Sequence, residues 1–291
     1  MSIQRRRGIE RTVSLVVGAL LAAGVLAGCA AAPSAQTALP AGVNVSLFQN
    51  RSDFPIRHLE VQVHNTTKHV VTLRSGSFAS TFFARPVQMQ YLPYDLAPGD
   101  EIAFPVALPA AACDTPKPAP RVTVDFTDST GKGSATVTPR VLYNTLNEIH
   151  SHDCAQATFE KVVKITPGPK VTWAKDASGA LVSHLDMDFT PTGAPGTVTL
   201  NSIDETTLFE MSLNTTYPLV LSAKSAPLHL TLTVTPSRCE THALSEDKIG
   251  TVVPFHVKTA DYSNGYFGLV LSNTLKFEYY HYFSLACGYP G

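Results

Sequence analysis

The chain lacks the short motifs that mark common catalytic sites. No G-x-S-x-G nucleophile turn, H-E-x-x-H zinc pair or G-x-G-x-x-G dinucleotide loop occurs in its 291 residues. "TGKGS" (130–134) is no phosphate loop, because the upstream glycine is missing and Gly133 follows Lys132. Ser245-Glu246-Asp247-Lys248 matches the S-x-x-K of penicillin-interacting serine enzymes, but Lys258-Thr259-Ala260 precedes Ser263-Asn264, in reversed order and with Ala for Gly. An enzyme is therefore not expected. A basic excess is missing too, since 22 Lys and Arg face 23 Asp and Glu, and this excludes the electrostatic footprint of a nucleic-acid binder. Long apolar runs are confined to the start of the chain.

That start is informative. "MSIQRRRGIERT" carries Arg5, Arg6, Arg7 and Arg11 against one acid, Glu10, and leads into an uncharged stretch. This is a basic segment followed by an apolar one, the layout of an export signal. The apolar part, Val13 to Ala27, falls short of the roughly 20 residues that a spanning helix needs. It ends in Leu26-Ala27-Gly28-Cys29, which resembles the bacterial lipobox. The resemblance implies cleavage before Cys29, a diacylglyceryl thioether on its sulfur, and a membrane-attached body on the extracytoplasmic face of the cell membrane. Two acyl chains give stable anchoring where one would be marginal. Loss of residues 1–28 takes four of the 22 bases and one of the 23 acids, leaving a mildly acidic remainder of 18 against 22. Residues 29–41, rich in Ala, Pro, Ser and Thr and free of charge, read as a flexible tether.

The body is internally duplicated. "HLEVQV" at His58 recurs as "HLDMDF" at His184, "VTLRS" at Val71 as "VTLNS" at Val198, and "PAAACD" with Cys113 as "PSRCE" with Cys239, all at an offset of 126 or 127 residues. The period far exceeds the 20 to 50 residues of solenoids, so each copy is expected to be a domain with its own core: residues 42–165 and residues 166–291. Period-two alternation in "HLEVQV" and in "LHLTLTV" (228–234) indicates half-buried strands. Turn signals at "NTTK", "LAPGD", "STGKG", "DASG" and "YSNG" separate such runs. Several short strands in each copy predict two tandem immunoglobulin-like β-sandwiches in a mainly β chain. One helix is predicted over 140–150. The aromatic run "KFEYYHYF" (276–283) is read as a closing strand with Phe277, Tyr279, His281 and Phe283 on one face.

The duplication also organises the cysteines. Cys113 and Cys154 fall in the first copy, Cys239 and Cys287 in the second, so Cys113 is expected to bond Cys154 and Cys239 to bond Cys287, although four cysteines allow three pairings. Disulfides fit an oxidising, exported location, and Cys29 is left for lipid. The body further resembles predicted lipoproteins of high-GC Gram-positive bacteria, a resemblance that brings no activity with it.

Two polar clusters are candidate sites. "EIHSHDC" gathers His150 and His152 beside Cys154; it reads either as a zinc or copper site or as solvated histidines beside a structural disulfide. "CETHALSEDK" offers His242, Glu246, Asp247 and Lys248 for a partner or ligand, and His242 and Glu246 share a face if the segment is helical. The expectation is a lipid-anchored, non-enzymatic binding or structural protein with an envelope protein or glycan as partner, no nucleic acid and no cofactor. The alternative is a metal- or small-ligand-handling lipoprotein using His150 and His152 or His242.

Overall fold

A computed structural model describes residues 36–289, and Cys29, the expected export signal and most of the expected tether lie outside them. Nine short strands come first: β1 (Val43–Phe48), β2 (His58–Asn65), β3 (Val71–Ala79), β4 (Val87–Gln88), β5 (Tyr94–Leu96), β6 (Glu101–Ala107), β7 (Arg121–Asp128), β8 (Gly131–Val137) and β9 (Arg140–Val141). They form two facing sheets, β6-β2-β1-β9 and β4-β3-β7-β8, with β5 also on β3. Helix α1 (Thr145–Val162) follows. The second set is β10 (Val163–Pro167), β11 (Thr172–Lys175), β12 (Leu181–Pro191), β13 (Thr197–Ile203), β14 (Phe209–Leu213), β15 (Leu219–Ser222), β16 (Leu228–Pro236), α2 (Thr241–Glu246), β17 (Val252–Lys258), β18 (Gly265–Val270) and α3 (Asn273–Ala286). Its sheets are β14-β16-β12-β10, with β11 on β12, and β15-β13-β17-β18.

The architecture is two tandem immunoglobulin-like sandwiches. Apolar alternation builds each: Leu59, Val61 and Val63 of β2 point into one core, and Leu185, Met187 and Phe189 of β12 into the other. The duplication extends to irregularities. The β3–β7 ladder slips between Leu73 and Ser75, and the β13–β17 ladder slips between Leu200 and Ser202, so the repeated "VTL-x-S" segment carries the same bulge in both copies. At "LAPGD" the chain turns with Gly99 at φ +87°, a conformation glycine adopts freely.

Both disulfides sit at matching places. Cys113, after β6, bonds Cys154 of α1, with Cα atoms 5.5 Å apart; Cys239, after β16, bonds Cys287 at the end of α3, with Cα atoms 5.3 Å apart. Each therefore ties a helix to its sandwich. With the bonded cysteines 41 and 48 positions apart in sequence, loop-closure entropy alone is worth about 4 kcal/mol per bond.

Four expectations are corrected. The helix predicted over 140–150 begins only at Thr145 and continues to Val162. Arg140 and Val141 pair in parallel with β1, and two successive left-handed residues, Tyr143 (φ +53°) and Asn144 (φ +56°), bar a helix across them. The boundary at 165/166 falls inside β10, which pairs with β12, so the changeover between copies lies within α1. From Gln36 on, the stretch read as tether is seated: Gln36 Nε2 donates to Asp128 Oδ1 at 3.0 Å, and Leu39 packs against the first core.

The fourth correction is the largest. "KFEYYHYF" is helical, forming most of α3. Ser272 caps it, its hydroxyl accepting from the Leu275 amide at 3.3 Å. Leu275, Tyr279, Tyr282 and Phe283, at helical spacing, are buried, and the last three surround Phe209 of β14. The Tyr282 hydroxyl reaches Val234 O at 3.0 Å and Leu181 O at 2.9 Å. Phe277 is 69% exposed. A strand would make Phe277 and Phe283 equivalent, whereas this helix predicts that Phe283→Ala costs about 3–5 kcal/mol and Phe277→Ala stays within about 0.5 kcal/mol. Urea unfolding of the two variants checks this, and equal losses would contradict it.

Candidate functional site

Helix α1 serves both sandwiches. Leu146 and Ile149 belong to the first core, and Ala155, Phe159 and Val162 to the second. Three further contacts fix it to the first copy. Arg57, at the β1–β2 connection, forms a two-point ion pair with Asp153, with Nη2 donating to Oδ2 at 2.9 Å and also to Pro109 O at 2.9 Å. His150 stacks on Phe82 at 3.8 Å between ring centroids, and its Nε2 donates to Ala112 O at 3.0 Å. The Cys113–Cys154 bond is the third.

A cleft of about 690 Å³ opens where the sandwiches meet beside this helix. The first copy contributes Gln49, Asn50, Arg51 and Phe54; the start of α1 and the residue pair before it contribute Tyr143, Thr145, Glu148 and His152. The second copy contributes 204–207, Arg238, Ile249, Pro254 of β17 and Tyr266 of β18. Tyr143 is 82% exposed. A non-glycine residue held at positive φ with a bare aromatic ring is the kind of local strain that gathers at binding sites.

A chain of rings crosses the seam. Phe54 lies 6.3 Å from His152, His152 lies 4.8 Å from Tyr266, and Tyr266 lies 5.2 Å from His256, all edge-on. His256 and Tyr266 are opposite one another in the β17–β18 ladder. His256 Nε2 meets Asp204 Oδ2 at 2.7 Å. Burial holds the His152 proton affinity below the ordinary imidazole range, with Glu148 and Asp153 opposing it in part. Burial also raises the Tyr266 phenol, helped by Asp204.

The residues picked from sequence are dispersed. His150 and His152 lie on different sides of α1, one against Phe82 and one in the cleft. Among the described residues no group of three or more His, Cys, Asp or Glu is placed to hold a metal ion. His242, Glu246, Asp247 and Lys248 line a smaller hollow of about 140 Å³, which shares Arg51, Thr207, Arg238 and Ile249 with the cleft. Within it Asp247 is occupied, accepting from the Tyr280 hydroxyl at 2.9 Å and the Gly250 amide at 2.7 Å. Lys248 Nζ donates to Ser245 O at 3.3 Å. Arg51, Tyr143, Asp204, Arg238, His256 and Tyr266 were not singled out from sequence. They come from separate segments with no shared motif, so only the fold unites them.

No protein-family model matches the chain, and no curated protein does. Seventeen solved chains match it in structure. One is the BSP domain of a biofilm associated protein, at 6% identity and TM-score 0.23, covering 81% of this chain and 60% of that one. Another is a B domain of a biofilm associated protein, at 6% identity and TM-score 0.23, with 81% and 87% covered. A third is the exo-chitosanase CsxA of Amycolatopsis orientalis, at 12% identity and TM-score 0.19, with 77% and 26% covered. The chain thus spans under two thirds of the first of these, and similarity at this level fixes neither site nor activity.

His152 gives a testable pH response. Its folded-state value lies below the ordinary value of about 6.5. As pH falls through that ordinary value, the unfolded chain takes up a proton that the folded chain refuses, so stability is lost on acidification. His152→Phe is expected to flatten the fall in melting temperature between pH 7 and pH 5. An unchanged slope would remove His152 as its source.

Proposed function

We propose that this protein is a lipid-anchored binding protein of the extracytoplasmic membrane face, non-enzymatic, which holds an envelope partner in the cleft between its two sandwiches. The observation that carries the reading is the cleft itself: concave, lined from both copies, and mixing aromatic rings with charged and hydroxyl side chains, the make-up expected of a ligand site. Attachment rests on the Leu26-Ala27-Gly28-Cys29 lipobox and the export signal before it. Among the described residues no helix is long and apolar enough to cross a membrane. In this reading Cys29 provides the anchor, the disulfides keep the body rigid outside the cell, and the cleft does the recognising.

Two substitutions separate the parts. Cys29→Ser is expected to abolish acyl labelling and release the protein from the membrane fraction, leaving its melting temperature unchanged. Thr207→Trp puts an indole into the cleft from an exposed loop position. The full chain, immobilised and washed with detergent-solubilised envelope, is expected to retain a specific component that the equally stable Thr207→Trp variant does not. Equal retention by both would refute the cleft as the site.

A further inference from the structure

The two ends of the cleft differ in chemistry. At one end are the rings of Phe54, His152 and Tyr266, with Glu148 close enough to raise the proton affinity of His152. At the other are Arg51, from the short helical turn after β1, and Arg238, from the segment after β16; both also line the adjoining hollow. The two arginines therefore come from different copies and both stand where the cleft adjoins the hollow. Among the described residues neither has a carboxylate within ion-pair distance, since the ion pairs there are Arg57–Asp153, His64–Glu101, His229–Asp188 and His256–Asp204. Of the acids that share these cavities, Asp204 is held by His256 and Asp247 by Tyr280 and Gly250, while Glu205 on the cleft wall and Glu240 and Glu246 in the hollow form no ion pair with either arginine among the described residues. Two exposed guanidinium groups lining one concavity, with no ion-pair partner among the described residues, make a place for an anion, because the planar fork binds carboxylate or phosphate at two points.

Resting on the cleft as binding site, we infer that its ligand is an acidic saccharide: Arg51 and Arg238 hold a carboxylate or phosphate, and the sugar ring packs at the aromatic end. A sugar suits that end because it presents an apolar C–H face to rings and hydroxyl donors to carboxylates. Glu148 and Glu205 are the acceptors on the cleft wall. The volume lies in the range of small-ligand pockets and is concave, which favours a short oligosaccharide over a flat protein surface.

The test is calorimetric titration of the full chain in detergent with three probes. These are a glucuronate–N-acetylglucosamine disaccharide, N-acetylglucosamine 1-phosphate, and the neutral N-acetylglucosamine disaccharide. Both acidic probes are expected to bind, at least one of them about tenfold more tightly than the neutral one, with the advantage shrinking as salt rises. The better of the two identifies carboxylate or phosphate as the anion. Arg51→Gln and Arg238→Gln are each expected to weaken that probe about tenfold and leave the neutral one unchanged. Arg85→Gln, exposed and outside both cavities, is expected to change neither. Equal affinity for acidic and neutral probes, acidic binding that survives the Arg51 and Arg238 changes, or no saccharide binding at all would overturn the inference. Retention of an envelope component that Thr207→Trp loses would still stand as the separate measure of the cleft, so the failure of one reading is told from that of the other.

Discussion

Helix α1 is a member of two hydrophobic cores at once, and the site depends on that sharing. Leu146 and Ile149 are buried on the first sandwich, Phe159 and Val162 on the second. Exposing either pair would cost about 1.5–3 kcal/mol for each side chain. The sandwiches cannot separate along the helix without exposing one pair or breaking the turn between them, and that turn carries Asp153, held by Arg57, and Cys154, held by Cys113. Parting α1 from the first copy would break apolar contacts, an ion pair and a covalent bond together, and parting it from the second would expose Ala155, Phe159 and Val162. The cleft thus has walls whose spacing is set by a rigid element, the arrangement that limits the ordering cost of binding.

The copies have diverged around this constraint. In the first, the closing helix runs on into the next sandwich; in the second, α3 folds back over its own sheet, with Tyr279, Tyr282 and Phe283 packed on Phe209. The second copy adds β14 at the edge of β16 and inserts α2 between β16 and β17, and the first adds β9 beside β1. These departures from the common plan lie close to the cleft: Tyr143 follows β9, and Arg238 stands between β16 and α2. Divergence has gone into edges close to the cleft, while the bulges in the repeated "VTL-x-S" strands stay alike.

How much could be read beforehand follows from where the information sits. Alternation in "HLEVQV" and "LHLTLTV" is local and fixes one face of a strand, so the sandwiches were legible. The repeat offset paired the cysteines because equivalent positions in a duplicated fold face equivalent partners. "KFEYYHYF" misled because a dense aromatic run satisfies a period of two and a period of 3.6 equally well. The deciding signals, the Ser272 cap and the Leu275-to-Phe283 stripe, lie partly outside it. The start of α1 was hidden by two residues in the left-handed region, a conformation that Tyr seldom adopts. The cleft was not legible because its residues come from several segments of both copies, and His256 and Asp204 are 52 positions apart.

The shared helix makes one demand on the molecule as a whole, that the two sandwiches unfold together. Differential scanning calorimetry of the disulfide-intact chain tests it most directly. The structure predicts a single endotherm whose calorimetric and van't Hoff enthalpies agree. Two resolved endotherms, one for each sandwich, would contradict a helix that belongs to both cores.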